Sequence, residues 1–128
     1  MYKLDNITIV ITSLGSDDLF VLLKSIYNDL DKSSDFEIIL TLPKDIKINI
    51  SYDDYVNLKI IKTYFYGQVN QRVTGFKHAT KKYVIQIDDD VEISSMDILK
   101  LKNKLITLGN KSSVSPVFYN RKNKNQCI

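Results

Sequence analysis

The run Tyr83-Val84-Ile85-Gln86-Ile87-Asp88-Asp89-Asp90-Val91 constrains this chain more than any other segment. An apolar, β-branched stretch stops abruptly at three consecutive carboxylates. A buried strand must reach the surface before it can carry such charge. Adjacent carboxylates repel one another unless a cation sits among them. In open α/β sheets, ligands bind outside the carboxyl ends of strands. The run therefore reads as a divalent-metal site at a strand end, with hard oxygen donors suited to Mg²⁺ or Mn²⁺. The competing reading is a solvated acidic turn before a helix, because Asp is a common turn and cap residue.

The flanking segments alternate between two periods. Ile7 to Ile11 is a short β-branched run with the character of a strand buried on both faces. Ser16 is a candidate N-cap, followed by Asp17 and Asp18 in the first helical turn. Leu19, Leu22, Leu23, Ile26 and Leu30 then mark one face of an amphipathic helix. Phe36 to Leu40 is a second strand, expected to stop at Pro43. Residues 44–57 read as loop or one short helix. Leu58 to Ile61 is a third strand, running into the aromatic cluster Tyr64-Phe65-Tyr66. Val69, Val73 and Phe76 give a helical face over residues 68–80. After the acidic strand, Ser94 or Ser95 caps a helix, with Asp97 three residues after Ser94 in a capping-box arrangement. Ile98, Leu101, Leu105 and Leu108 are its expected buried side, and Gly109-Asn110 its end. Ser113 to Tyr119 reads as a last, edge strand because of Pro116. This order predicts an α/β fold, three layers α/β/α, with a mostly parallel sheet. One domain is expected over residues 1–120, with a polar, basic and frayed tail over 121–128.

Composition narrows the function. Net charge is only +3, which argues against nucleic-acid binding as the main role. Lys77, Lys81 and Lys82 cluster before the acidic strand end, and Arg121, Lys122 and Lys124 sit in the tail; both clusters suit solvated surface. Cys127 is the single cysteine, so neither a disulfide within the chain nor a cysteine zinc cluster can form, and a reducing compartment fits. His78 alone cannot build a multi-histidine site, and its place among lysines suggests surface. Met1 to Asp5 has no long apolar run of the kind a signal peptide needs. No stretch approaches the roughly 20 apolar residues of a spanning helix. A cytoplasmic protein is expected, and any membrane contact, at the inner face, would be peripheral.

Position decides among α/β folds that carry acids at strand ends. A receiver domain needs an acidic pair after its first strand, where this chain has Thr12-Ser13-Leu14-Gly15. An aspartyl phosphatase-like fold also needs an early Asp. The G-x-x-x-x-G-K-[ST] of a P-loop and the G-x-G-x-x-G of a dinucleotide fold are both absent. The acids here follow the fourth strand.

That order resembles the nucleotide-sugar-binding half of a GT-A glycosyltransferase, most closely glycosyltransferase family 2, over about residues 7–118. Ile9-Val10-Ile11-Thr12-Ser13-Leu14-Gly15 and Leu22-Leu23-Lys24-Ser25-Ile26-Tyr27 match the family's opening strand, turn and helix. Glu37-Ile38-Ile39-Leu40 matches its E-I-I-V strand. Gly67, Gln71-Arg72-Val73 and Gly75 match its glycine- and arginine-bearing helix, and Asp88-Asp89-Asp90 its D-x-D motif. The resemblance implies a nucleotide-diphosphate sugar as donor, UDP- or GDP-linked, and a glycan or lipid-linked acceptor, as in polysaccharide biosynthesis. It implies that Asp90 binds Mn²⁺ or Mg²⁺ and that Asp88 shares the metal or contacts the ribose. Asp89 would lie behind them, Arg72 near the nucleotide, and Thr12 and Ser13 beside the base. The family's aspartate pair after the second strand is missing or displaced to Asp45, which leaves the base open. The family's acceptor half, which supplies the catalytic base, would follow the D-x-D strand. No carboxylate follows Asp97 in this sequence, so the fold is expected to be truncated and no residue is assigned as catalytic. Two rival readings follow: a non-catalytic nucleotide-sugar-binding module, and an interaction domain whose acids only cap a helix.

Overall fold

The computed structural model describes residues 1–109 and 111–116, together with the backbone of two short strands nearer the C-terminus. The order is β1 (Ile7–Thr12), α1 (Asp18–Asn28), β2 (Phe36–Pro43), β3 (Leu58–Thr63), α2 (Gln68–His78), β4 (Tyr83–Asp88), α3 (Ser95–Leu108), β5 (Phe118–Tyr119) and β6 (Gln126–Cys127). The first four strands form one parallel sheet in the order β3-β2-β1-β4. The chain winds outward from β1 to β3, then returns to the other side of β1. The gap between the ends of β1 and β4 is thus a topological switch point, where open α/β sheets bind ligands.

α1 and α3 share one face of the sheet, and α2 covers the other. The alternation of side chains along each strand explains the division. Ile7, Ile9 and Ile11 of β1 and Ile38, Leu40 and Leu42 of β2 point toward α1, which answers with Leu19, Leu22, Leu23 and Ile26, all at most 2% exposed. The strand buried on both faces and the α1 stripe are therefore as the sequence implies. The α3 start is also as read. Ser94 Oγ accepts from the Asp97 amide at 3.2 Å, and Asp97 accepts in return from the Ser94 amide at 3.3 Å.

β2 stops at Pro43, as expected, with that residue opposite Thr63. Proline lacks an amide to donate, and the ladder resumes with Lys44 N–H to the Thr63 carbonyl. Residues 44–57 take the loop alternative, with turns and bends but no helix. Several other expectations change. Ser16 is not the α1 cap: Asp17 takes that position without a side-chain cap bond. On α3, Ile98 is buried, but Leu101 and Leu105 are only partly covered and Leu108 is exposed. Residues 112–116 form no strand. β5 instead pairs antiparallel with β6, outside the main sheet, so part of the tail expected to fray is paired. The expected cationic tail cluster, Arg121, Lys122 and Lys124, lies outside the described residues, as do Asn110 and the Cys127 side chain.

The largest change is the orientation of α2. Val69, Val73 and Phe76 do form a helical face, but it is not the one that meets the sheet: they are 70%, 44% and 49% exposed. Gln71 and Gly75 face the sheet instead. A Cβ at Gly75 would lie 2.3 Å from Val10 Cγ1, so the helix approaches the strand more closely than any side chain would allow. Gln71 Nε2 donates to the Ser13 and Thr41 carbonyls at 2.8 and 2.9 Å. These two residues seat the helix, and the apolar stripe is left pointing outward.

Candidate functional site

The carboxyl ends of β1 and β4 are in register, so Thr12 lies opposite Asp88. Asp88 is the hub. Its Oδ1 accepts from Thr12 Oγ1 at 3.0 Å and from Gln86 Nε2 at 3.0 Å. Arg72 Nη2 donates to Oδ1 at 3.0 Å and to Oδ2 at 3.2 Å. Gln86 and Asp88 are two residues apart on one strand and so share a face, the face that α2 covers with Arg72. Burial opposes ionisation of Asp88, but the bonds from Gln86, Arg72 and Thr12 outweigh it and hold its carboxyl below the usual carboxylate range. Arg72 Nε is buried with no partner among the described residues.

Asp89 turns the other way and ties down the β1–α1 turn. Its Oδ2 accepts from Ser13 Oγ at 2.6 Å and from Ser16 Oγ at 3.1 Å. Ser13 Oγ in turn accepts from the Gly15 amide at 2.9 Å. Gly15 has φ of +82°, and a Cβ there would come within 2.8 Å of Ile46 Cγ2, so glycine is required both by conformation and by space. Asp90 is exposed.

Between the β1–α1 turn, the start of α2 and the three aspartates lies a cleft of about 200 Å³. Thr12, Ser13, Leu14 and Ser16 form one wall, Gln68 and Gln71 another, and Asp88, Asp89 and Asp90 the third. α2 opens at this cleft, so its positive dipole end contributes to the wall. A larger cavity, about 410 Å³, runs along the free edge of β4 beneath α3. Its walls include Ile87, Val91, Ile98, Leu101 and Leu105. Among the described residues that line it, Asp88 is the one carboxylate, so the smaller polar cleft is the candidate site.

Of the residues singled out from the sequence, Thr12, Arg72 and Asp88 form one hydrogen-bonded group and Ser13 and Asp89 a second beside it, with Asp90 on the same cleft wall. Asp45 is not among them. It is exposed beyond the end of β2, where it accepts from the Tyr66 hydroxyl at 2.9 Å. Tyr64, Phe65 and Tyr66 are 80%, 74% and 59% exposed, so they are not core. His78 is exposed, as expected. Three site residues escaped the sequence reading: Ser16, read as a cap; Gln71, quoted only as part of a motif; and Gln86. The signal for Gln86 was an amide interrupting an otherwise apolar strand, two residues before the hub carboxylate.

Glycosyl transferase family 2 matches residues 46–127. The chain belongs to this family. The match contains Arg72 and the three aspartates; Thr12, Ser13 and Asp45 precede it. No curated protein matches the chain. Among solved structures, S. aureus TarS 1-349 superposes with a TM-score of 0.61 at 20% identity, covering 77% of this chain and 32% of that one. TarS 1-349 in complex with UDP-GlcNAc gives a TM-score of 0.63 at 18% identity, covering 90% of this chain and 38% of that one. The family 2 chain described here thus spans about a third of the TarS 1-349 chains it resembles. The shared fold is α/β, of GT-A type, with a mostly parallel sheet between helices.

Proposed function

We propose that this chain binds a nucleotide-diphosphate sugar in the cleft between β1 and β4, as the donor-binding part of a glycosyltransferase acting on a glycan or lipid-linked acceptor. One observation carries the reading: within a family 2 match, the D-x-D hub Asp88 is held by Arg72, Thr12 and Gln86 at the switch point of the sheet. The solved relative bound to UDP-GlcNAc makes a UDP-sugar the first donor to test.

The residues fit a divalent ion of the Mn²⁺ or Mg²⁺ kind. Among the described residues no group of three His, Cys, Asp or Glu side chains is arranged to hold an ion. These ions need no such cage, since one or two carboxylates, water and substrate phosphates suffice. Asp90, exposed on the cleft wall, would be the main ligand. Asp88 Oδ2, which among the described residues accepts only from Arg72, would be the second. When bound, the ion would neutralise charge developing on the diphosphate. The chain's own residues do the positioning. Arg72 keeps Asp88 ionised and oriented, while Asp89 braces the Ser13–Ser16 turn that forms the wall for the base.

One observation favours donor binding without transfer as a second reading. A general base works best with its acidity near the operating pH. Asp88 is held below the ordinary range and Asp89 is occupied by two serines. Calorimetric titration with UDP-GlcNAc, other UDP-sugars and GDP-sugars, with and without Mn²⁺, tests donor binding. The Asp90→Asn variant is expected to remove the metal dependence. Absence of heat from every donor at millimolar concentration overturns the proposal, and sugar release or transfer by the bound chain rejects the second reading.

A further inference from the structure

Gln71 is polar and only 1% exposed. Its Nε2 donates both hydrogens, to the Ser13 and Thr41 carbonyls near the carboxyl ends of β1 and β2. Turned end for end, the amide would set its oxygen against two carbonyl oxygens, so these donors fix which end is which. Oε1 is then left with no partner among the described residues. It is not sealed in the protein either. Among those residues, the one enclosed side-chain polar atom without a partner is Arg72 Nε. Gln71 lines the polar cleft, so its Oε1 is an acceptor held rigidly at the cleft wall.

The polar groups around it are engaged with one another. Thr12 Oγ1 donates to Asp88, and Ser13 Oγ and Ser16 Oγ donate to Asp89. Gln68 Oε1 accepts from Arg72 at 3.5 Å. Thr41 Oγ1 donates inward, to the Ile11 carbonyl at 3.4 Å, and among the described residues β2 adds nothing to the cleft wall. The three aspartates gather on one wall, where a metal and a diphosphate belong. A base would lie against the β1–α1 turn, which Gln71 itself holds through the Ser13 carbonyl. A fixed, desolvated acceptor takes an N–H and repels a lone pair. Uracil and guanine carry a ring N–H on the pairing edge, whereas cytosine and adenine carry a lone pair there. A site built to pair an N–H rejects an analogue that lacks it, because its own buried group is then left unpaired.

We propose that Gln71 selects the nucleobase of the donor: its Oε1 accepts the ring N–H of uracil or guanine and excludes cytosine and adenine. The inference rests on the donor-binding reading above and adds the residue that sets its specificity. The two bonds that seat α2 on the sheet also aim the acceptor, so one side chain places the helix and reads the base.

The test is calorimetric titration of the full chain, with Mn²⁺ present, against UDP, GDP, CDP and ADP. The tighter of UDP and GDP shows which base the cleft takes, and it is expected to bind about tenfold or more tighter than CDP and ADP. Methylating the ring nitrogen of that base, as 3-methyl-UDP or 1-methyl-GDP, is expected to remove the whole advantage. These arms alter the ligand and leave the protein intact, so they stand whatever a substitution does to the seat of α2. Gln71→Met keeps the length of the side chain without its amide. In the fraction that a thermal melt shows to be folded, the preference over CDP and ADP should collapse toward onefold, whereas a merely structural role would weaken all four nucleotides alike and keep the ratio. Equal binding of all four by the parent, equal binding of the methylated base, or a ratio retained in folded Gln71→Met overturns the proposal and leaves donor binding standing. Failure of every nucleotide to bind overturns the donor reading, and this inference with it.

Discussion

The two faces of the central sheet are built on different principles. On the α1 side, Ile7, Ile9, Ile11, Ile38, Leu40 and Leu42 meet leucines and isoleucine from α1. On the α2 side, Val10 and Ile39 share the surface with Thr8, Thr12, Glu37 and Thr41, all buried. Non-directional burial holds the first face, and its free energy scales with area. Directional bonds hold the second, and each makes sense only at one register. Glu37 shows this at the amino ends of the strands. Its Oε1 accepts from Thr8 at 2.7 Å and from the Thr80 amide and hydroxyl at 2.7 and 2.8 Å, while Oε2 pairs with Lys59 at 3.1 Å. Asp88 shows it at the carboxyl ends. The apolar face supplies most of the adhesion. The polar face fixes where α2 lies, and the candidate site grows from its exposed end.

The comparison is tested most severely on the apolar side. Leu40→Ala removes a fully buried side chain and is expected to cost about 2–5 kcal/mol. Chemical denaturation measures that loss, while donor affinity of the protein that remains folded should be unchanged. A large loss of affinity without a loss of stability would mean that the faces are not separable in this way.

On the polar side, pH is the sharper probe. Burial pushes the pKa of Glu37 up, but the bonds from Thr8, Thr80 and Lys59 outweigh it and lower the pKa from 4.5 to about 2. The unfolded chain therefore takes up this proton more readily than the folded one. The stabilisation is complete above about pH 4.5 and is lost as pH falls toward 2, at about 3 kcal/mol in total. Glu37→Gln is expected to be less stable than the parent at pH 7 by an amount of that order, and the difference should shrink through this acid window. A difference that stays constant from pH 7 to pH 2.5 in urea melts would remove Glu37 from the account.

Arg72 separates function from adhesion on the polar face itself. Arg72→Ala should weaken nucleotide-diphosphate binding by about 1.5–3 kcal/mol, the scale of a hydrogen bond to a charged group. The pair is partly exposed, so stability should change by less than about 1 kcal/mol. Calorimetry of the variant beside its thermal melt checks both halves, and equal donor affinity in mutant and parent would leave Arg72 a structural residue only. The smallest effect is expected at Gly75. Gly75→Ala should gain about 1 kcal/mol of helix propensity but lose about 1–3 kcal/mol to the clash with Val10, a modest net destabilisation. A more stable variant would show that α2 can lift from the sheet at little cost.

The sequence by itself determined the elements whose signals lie within a few residues. The apolar run of β1, the leucine stripe of α1 and the Ser94–Asp97 capping box each specify local structure directly, because period and cap are properties of one segment. The strand-end aspartates were legible for the same reason, since an apolar run cannot carry three carboxylates inside. What only the tertiary structure decided is everything that depends on register between distant segments. Asp88 meets Thr12 across 76 residues of chain, and Ser16 leaves its capping position for Asp89 because the switch point brings that carboxylate within reach. Asp45, next to the second strand in sequence, is carried away from the cleft and bonds Tyr66 instead. The α2 stripe has a helical period, but period alone does not decide which way a stripe faces. A glycine that permits close approach to Val10, and a glutamine that caps two strand-end carbonyls, turned it outward. Those two contacts exist only after β1 and β2 have paired.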